Sequence, residues 1–380
     1  MKIVDITAHV VNMAGSWLTD TVISNPMSQY SEYWEKRSSW YLRQSCAVIE
    51  VALEDGTRGY GFVGGAKGAA VPPLLAEQIK SLVVGCSVFD TGLVYEQLTR
   101  ATVFYGRGGL VQCLISGIDL ALWDAKGKLL QQPVYNLIGG KGQDSLEVYY
   151  TGNDTAALAD FGLKRMKIAV PYGPPHGEEG MKKNEQAVAK AREVLGADGW
   201  LALDIYMSWN VTYTVEMARR LEPYRIAWFE EPVPPDDYAG YRRLREVAGL
   251  TIAGGEHEFT LEGFRRLITE ECVDVVQPDI YRAGGITGLL KIAALAKAHH
   301  KTFICHGVGS PTYHLLASHD RTLTPMVEYI DIYRGNQRPW VLTDDPRPRG
   351  GKLSLSAAPG FGYELSPEAL KPGATVAPIW

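Results

Sequence analysis

Short apolar runs alternate with longer amphipathic stretches over residues 145 to 335. The amphipathic stretches, such as "NEQAVAKAREVLG" and "GLLKIAALAKAHH", place apolar residues three and four positions apart, which is typical of helices that cover a core. The apolar runs have the length of buried strands, and there are eight of them: "LEVYYT", "RMKIAV", "GWLALDIYM", "RIAWFEE", "LTIAGGE", "VDVVQPD", "KTFICHG" and "PMVEYI". Eight strand-and-helix units in this length predict a TIM-like α/β barrel of the (β/α)8 type.

The alternative for such an alternating pattern is an open, doubly wound sheet. That fold would need a glycine-rich, phosphate-binding turn after an early strand. No GxGxxG motif occurs at such a position in this sequence. The barrel is therefore favoured.

The first part of the chain has a different order, with strand-like runs before helical ones. "KIVDITAHVV" and "SCAVIEVALEDGTRGYGF", the second with a hairpin turn at "EDGT", precede "LVQCLISGIDLALWDAKGKLL". This order predicts an N-terminal α+β domain over residues 1–125, in which the aromatic and polar stretch 13–45 forms a lid loop. The barrel is predicted over residues 126–340. Residues 341–380, rich in Gly, Pro and Ser, are expected to pack back on the first domain.

Composition and charge indicate which kinds of partner the protein can bind. Of 380 residues, 46% are hydrophobic and 21% are charged, the net charge is -5, and no basic block occurs. We therefore expect a small-molecule substrate, with no nucleic acid and no membrane as partner. The five cysteines are scattered without a CxxC pair, and the N-terminal "KIVDITAHVV" is not a signal-peptide pattern. A cytoplasmic protein with reduced thiols is expected.

Three carboxylates end consecutive apolar runs in the same register. Asp204 ends "WLALD", Glu230 ends "IAWFE" and Glu256 ends "TIAGGE", each 26 residues after the one before. Equivalent strand ends of a barrel converge on one mouth, where three carboxylates repel each other unless a cation lies between them. Oxygen ligands of this kind suit Mg²⁺. The alternative, that each acid caps the following helix, is weaker because glutamate is a poor N-cap residue.

A similar spacing, of 23, 27 and 22 residues, continues over the next three strands. Asp279 ends "VVQPD", His306 ends "FICH" and Glu328 lies in "MVEYI". An aspartate on one imidazole nitrogen fixes the tautomer and leaves the other nitrogen free to take a proton, so His306 and Asp279 are candidates for a general base and the residue that orients it. His257, directly after Glu256, is a second candidate proton carrier; a hydrogen bond that only supports the ligands is an equally good interpretation.

The quoted residues identify the chain as resembling the enolase superfamily, in its mandelate racemase-like branch. The motifs "LDIYMSW", "WFEEPVPPDDYAGY", "GGEHEFT", "VQPDIYRAGGITGLLKIAALA" and "HGVGSP" match barrel motifs of that branch in order. "FYGRGGLVQCLISGIDLALWDAKGK" matches the helical part of its N-terminal capping domain. The resemblance covers nearly the whole chain and implies an enolase-type modified (β/α)8 barrel.

The resemblance also implies roles for the strand-end residues. Mg²⁺ would be held by Asp204, Glu230 and Glu256, a dyad of His306 and Asp279 would act as general base, and Glu328 would lie beside the substrate carboxylate. Many members carry Lys-x-Lys on the second barrel strand. Here Lys167 is the first lysine, expected to contact the metal-bound substrate carboxylate or to form a structural salt bridge, and Ala169 takes the second place. With the second-strand base missing, racemisation by two opposed bases is disfavoured.

The implied reaction is the dehydration of a sugar acid. His306 would remove the C2 proton, and the C3 hydroxyl would leave after protonation by His306 or His257, giving a 2-keto-3-deoxy acid. The alternatives are an epimerase or cycloisomerase of a related acid, and a catalytically silent protein that only binds an acid sugar. The acid-sugar dehydratases of this type carry a histidine before the Pro-Met pair of the lid loop, where this chain has Val22, Ile23 and Ser24. A homo-oligomer is also expected.

Overall fold

The computed structural model describes residues 1–13, 23–34, 45–64, 68–246, 248–330, 341–342, 346–371 and 374–376. The strands are β1 Ile3–Met13, β2 Ser45–Leu53, β3 Arg58–Val63, β4 Leu146–Thr151, β5 Arg165–Ala169, β6 Trp200–Asp204, β7 Phe229–Glu230, β8 Ile252–Gly254, β9 Val275–Val276, β10 Thr302–Phe303, β11 Val327–Tyr329, β12 Lys352–Leu353 and β13 Thr375–Val376. The helices are α1 Val71–Leu74, α2 Lys80–Val83, α3 Thr91–Ala101, α4 Leu110–Leu129, α5 Val134–Leu137, α6 Ala156–Phe161, α7 Gly177–Leu195, α8 Val211–Leu221, α9 Tyr238–Glu246, α10 Leu261–Thr269, α11 Gly285–Ala298 and α12 Ser310–Ala317.

Strands β4 to β11 form the barrel. Each parallel strand pairs with the next in chain order from β4 to β10, and β11 pairs in parallel with β4. Between β10 and β11 the Phe303 amide donates a hydrogen bond of 2.9 Å to the Leu323 carbonyl. The eight strands coincide with the eight apolar runs of the sequence, so the predicted α/β barrel with an N-terminal α+β domain is confirmed.

The N-terminal capping domain packs helices on a four-stranded sheet. β1, β2 and β3 are antiparallel, β13 pairs in parallel with β1, and the predicted hairpin turn joins β2 to β3. Helix α4 lies directly on β3. The contact is so close that a Cβ at Gly59 or Gly61 would overlap backbone carbonyl oxygens of that helix. Helix α4 is buried along nearly its whole length, since its other side faces α11 of the barrel. The predicted domain boundary at residue 125 falls inside α4, and the domain limits stay predictions.

The described part of the C-terminal segment contacts both domains. β12 pairs antiparallel with barrel strand β4, and the Tyr363 hydroxyl donates a hydrogen bond of 2.8 Å to the Tyr60 carbonyl of the capping domain. Among the described residues, no helix combines the length and the apolar character that crossing a bilayer requires.

Asp124 on α4 joins three segments of the chain in the interior. Its fully buried carboxylate accepts hydrogen bonds of 2.9 Å from the backbone amides of Tyr60 and Phe361, and it lies 2.9 Å from the Lys128 ammonium. Burial raises the pKa of Asp124 to about 6 even though the charge of Lys128 opposes that shift. Ionisation of this carboxyl is therefore easier in the unfolded chain than in the folded protein.

This pKa predicts a pH-dependent contribution of Asp124 to stability. A carboxyl whose pKa is raised by folding favours the folded state at acid pH, and that contribution is lost as the pH rises from the unfolded pKa toward about 6. The difference in unfolding free energy between wild type and Asp124→Asn should thus change by about 2 kcal/mol between pH 4 and pH 7, to the disadvantage of wild type. Urea unfolding at a series of pH values measures it; parallel pH curves for the two proteins would contradict it.

Candidate active site

The strand register brings the predicted acidic residues to one end of the barrel. Asp204 on β6 lies directly opposite Glu230 on β7 and opposite Ala169 on β5. Glu256 follows β8, and Glu328 lies on β11. Parallel strands of a barrel end at the same rim, so residues that recur at similar intervals along the sequence converge in space here.

A fully buried lysine lies among these carboxylates. The Lys167 ammonium is hydrogen-bonded to Glu230, lies 2.9 Å from Glu328 Oε1 and lies 3.8 Å from Asp204 Oδ2. Burial lowers the pKa of Lys167, but the charges of Glu230 and Glu328 outweigh it and hold that pKa well above its usual value. Lys167 is therefore the resident counter-charge of the site.

One lysine does not balance all the negative charge. Burial raises the pKa of Glu230 to about 8 and that of Asp204 to about 6, although Lys167 favours the ionised form of both. The neighbouring carboxylates add to the rise, Asp204 for Glu230 and Glu256 for Asp204. The second oxygen of Glu230 accepts hydrogen bonds from Trp228 Nε1 at 3.1 Å and Gln277 Nε2 at 2.9 Å, so this side chain is fixed in place.

Glu328 is held from three sides. Its carboxylate accepts hydrogen bonds from the Thr151 hydroxyl at 2.5 Å and the Gly307 amide at 2.7 Å, in addition to the contact with Lys167. Burial raises the pKa of Glu328, but Lys167 and then His306 lower it well below its usual value. Glu328 therefore stays an anion at the mouth of the barrel.

His306 lies between two of these carboxylates. Its Nδ1 is 2.9 Å from Glu256 Oε2 and 3.3 Å from Glu328 Oε2. Burial lowers the pKa of the ring, but the charges of Glu256 and Glu328 raise it well above its usual value. The pKa of Glu256 is lowered in turn, because His306 and His257 outweigh the effect of its burial.

The expected side-chain pair of His306 and Asp279 is not formed in this structure. The two residues are bridged through their backbones at the ends of neighbouring strands, as predicted. The Asp279 carboxylate, however, accepts a hydrogen bond of 2.7 Å from the Tyr281 amide and lies 3.0 Å from Arg282 Nε. The physical reason is competition: the Arg282 guanidinium neutralises Asp279, while the ring faces Glu256 and Glu328.

His257 has a close partner in Glu231. Its Nδ1 lies 2.5 Å from Glu231 Oε2 and 3.4 Å from Glu256 Oε1. Burial lowers the pKa of His257, but the Glu231 charge raises it above its usual value. Glu231 itself has a left-handed backbone with φ of +40°, and its carboxylate contacts His257, whereas that of Glu230 contacts Lys167.

The sequence did not single out Arg282 and Gln277, which also belong to the site. Arg282 is nearly buried, and its Nη1 donates a hydrogen bond of 2.9 Å to the Glu256 carbonyl. Gln277 lies two residues before Asp279, so the two-residue period of a strand would have placed both on the same face. The sequence feature that could have pointed to Arg282 is its position three residues after Asp279, within reach of an ion pair.

The donor set fits a divalent cation. Within the described residues, two trios bring ligand atoms within 4.8 Å of one another: Glu230, Glu256 and His306, and Glu231, Glu256 and His257. Asp204 is in neither trio, and its carboxylate lies 3.8 Å from the Lys167 ammonium. Buried carboxylates with raised pKa values are stabilised by an added cation, and oxygen donors suit Mg²⁺.

Part of the predicted lid loop lies near the rim of the barrel. The Ser24 amide donates a hydrogen bond of 2.8 Å to the carbonyl of Val170, just after β5, and the rings of Trp34 and His176 are 4.9 Å apart. Tyr30, in the same stretch, is 55% exposed. Trp17 and Val22 lie outside the described residues.

Comparison with known proteins gives consistent matches over nearly the whole chain. The family described as mandelate racemase / muconate lactonizing enzyme, N-terminal domain, matches residues 38–139, and the family described as enolase C-terminal domain-like matches residues 153–369. A relative from Caldivirga maquilingensis, provisionally named an L-rhamnonate dehydratase, is 37% identical over 97% of this chain and 96% of its own.

Two solved structures are also similar to this chain. The rhamnonate dehydratase from Gibberella zeae, complexed with Mg, is 34% identical with a TM-score of 0.90, over 97% of this chain and 95% of that one. The 3,6-anhydro-D-galactonate cycloisomerase from Zobellia galactanivorans is 29% identical with a TM-score of 0.81, over 98% and 99% of the two chains.

Proposed function

The chain belongs to the enolase superfamily, in its mandelate racemase and muconate lactonizing branch, and we propose on this basis that it is a Mg²⁺-dependent sugar acid dehydratase that acts on L-rhamnonate or a closely related aldonate. The enzyme class, a hydro-lyase, is inferred from relatives that are named rhamnonate dehydratases and are 34% to 37% identical to this chain. The cytoplasmic location and the homo-oligomer stay predictions.

The observation that carries the proposal is the asymmetry of the site. Carboxylates end strands β6 and β7 and follow β8, the imidazoles of His306 and His257 both lie beside Glu256, and Ala169 stands opposite Asp204 on β5. With alanine at the place of the second-strand base, the site suits proton removal followed by loss of a leaving group. Racemisation by two opposed bases would need a second base at Ala169.

Asp204, Glu230 and Glu256 would hold Mg²⁺, which when bound supplies Lewis-acid stabilisation of the charge that develops on the substrate carboxylate. Asp204 is the direct neighbour of Glu230 across the β6–β7 pair and lies 3.8 Å from the Lys167 ammonium. Lys167 would then contact the substrate carboxylate, with Glu328 beside it.

The acid–base steps are assigned to the two histidines. His306 takes the proton from C2, and the electron pair of that C–H bond forms the double bond of the enediolate. The C3–O bond then breaks, and the hydroxyl leaves as water after receiving a proton from His306 or His257. The resulting enol tautomerises to the 2-keto-3-deoxy acid. Glu231 lies 2.5 Å from Nδ1 of His257 and would hold that ring in orientation for this role.

The test is a screen of aldonic and aldaric acids, including L-rhamnonate, for keto product that reacts with semicarbazide. Product is expected from L-rhamnonate or a close stereoisomer with Mg²⁺ present. Chelation by EDTA should abolish it, and added Mg²⁺ should restore it. Failure of every acid to give keto product would overturn the dehydratase proposal and favour a protein that only binds an acid sugar.

A second candidate function is isomerisation through the same enediolate, favoured by the similarity to the Zobellia galactanivorans cycloisomerase at 29% identity. The same assay in D₂O separates the two. An epimerase or cycloisomerase gives a product of unchanged composition labelled at C2, whereas a dehydratase gives the keto acid.

A further inference from the structure

The N-terminus of barrel helix α11 has no capping side chain of its own. The helix begins at Gly285, and its N-cap residue is Gly284, in the left-handed region with φ of +90°. The first amides of a helix need acceptors from outside the helix. Here the acceptors come from helix α4 of the capping domain, which is more than 160 positions away along the chain.

Two side chains of α4 serve these amides. Asp119 Oδ2 accepts a hydrogen bond of 3.0 Å from the Thr287 amide, and the Ser116 hydroxyl accepts one of 2.8 Å from the Gly284 amide. The Asp119 carboxylate is almost fully buried, and a Cβ at Gly285 would overlap it. A carboxylate at this position also interacts favourably with the helix dipole.

The segment that precedes α11 leads directly into the active site. Arg282 donates a hydrogen bond of 2.9 Å to the Glu256 carbonyl and lies 3.0 Å from the Asp279 carboxylate. The Tyr281 hydroxyl donates one of 3.1 Å to the Val308 carbonyl, two residues after His306. Residues 279–287 therefore connect α4 to the metal-ligand candidate Glu256.

We propose that Asp119 is a positioning residue, through which the capping domain sets the location of Arg282 and thereby of Glu256. The inference rests on the proposed function for the identity of the cation, whereas the contact between α4 and α11 does not depend on it. The capping domain thus contributes to the geometry of the cation site as well as covering the barrel.

The experiment compares Asp119→Ala with Asp124→Ala. Both carboxylates are buried on α4 and accept backbone amide hydrogen bonds, but Asp124 binds the Tyr60 and Phe361 amides and not the barrel helix. Mg²⁺ affinity is measured by titration of the metal-free proteins, and hydrogen exchange is followed in peptides that cover residues 279–287. Asp119→Ala should weaken Mg²⁺ binding about 10-fold, as loss of a residue that supports a metal ligand typically does.

Asp119→Ala should also speed exchange of the Gly284 and Thr287 amides about 10-fold or more, while Asp124→Ala leaves both readouts at wild-type level. Asp119→Asn keeps an acceptor oxygen and should recover part of each. Equal Mg²⁺ affinity in Asp119→Ala and wild type would overturn the inference and leave the proposed function intact. Wild type that binds no Mg²⁺ would overturn the proposed function instead. If Asp119→Ala does not fold, Ser116→Ala, which removes the acceptor of the Gly284 amide, should show the faster exchange; unchanged exchange there contradicts the inference.

Discussion

The His306→Asn variant is expected to lose about 10³-fold or more in kcat, because an asparagine amide cannot take up the C2 proton. The side chain is of similar size and can lie between Glu256 and Glu328 as the ring does, so the fold should be unaffected. Turnover is measured with the acid identified by the substrate screen, and exchange of the C2 proton is measured separately by NMR in D₂O. Both should be lost together.

The control is His257→Asn, which separates the two proton transfers. If His257 protonates the leaving hydroxyl, this variant should keep C2 exchange and lose dehydration. If His306 performs both steps, His257→Asn should keep both reactions. Wild-type C2 exchange in His306→Asn would show that another group is the base.

Mg²⁺ affinity adds a third readout for His306. The ring belongs to a trio with Glu230 and Glu256 whose ligand atoms lie within 4.8 Å of one another, so a ligand role competes with the base role. We expect the affinity of His306→Asn to stay close to that of wild type. A loss of 10-fold or more would assign His306 to the metal and require a different base.

The spacing of strand ends was sufficient to predict where the site lies. Asp204 and Glu230 lie opposite each other because each ends its parallel strand at the same rim of the barrel, and the apolar runs of the sequence show where those strands end. The barrel and the hairpin of the capping domain follow from the same patterns. The sequence therefore predicts those features of the fold that depend on the spacing of apolar residues along the chain.

Partner choice inside the site was not predictable in the same way. The sequence correctly placed Asp279 and His306 on neighbouring strand ends. Several charged groups lie within a few ångströms of each side chain, however, and the Asp279 carboxylate contacts Arg282 while the His306 ring contacts Glu256. The electrostatic balance that decides this depends on distances and burial that no spacing encodes. The contact of Asp119 with α11 could not be predicted from the sequence either, because it depends on how the two domains pack against each other.

The Lys167→Met variant is expected to lower the free energy of unfolding by about 3–5 kcal/mol at neutral pH, because it leaves buried carboxylates without their counter-charge. Methionine has nearly the length of lysine, so little packing is lost. Urea unfolding of the metal-free protein measures the effect. The matched control is Lys297→Met: Lys297 lies 3.0 Å from Asp320, but its side chain is 63% exposed, and exposed pairs contribute at most about 1 kcal/mol.

A double variant tests whether the loss arises from charge. Glu328 lies 2.9 Å from the Lys167 ammonium and is itself fully buried, so Glu328→Gln in the Lys167→Met background removes one of the carboxylates left uncompensated. The double variant should then be more stable than Lys167→Met alone, whereas Glu328→Gln should destabilise the wild-type background. Additive effects of the two substitutions would mean that the ammonium does not act on Glu328. In that case the stability of the metal-free site would have to come from Glu230 and its partners Trp228 and Gln277.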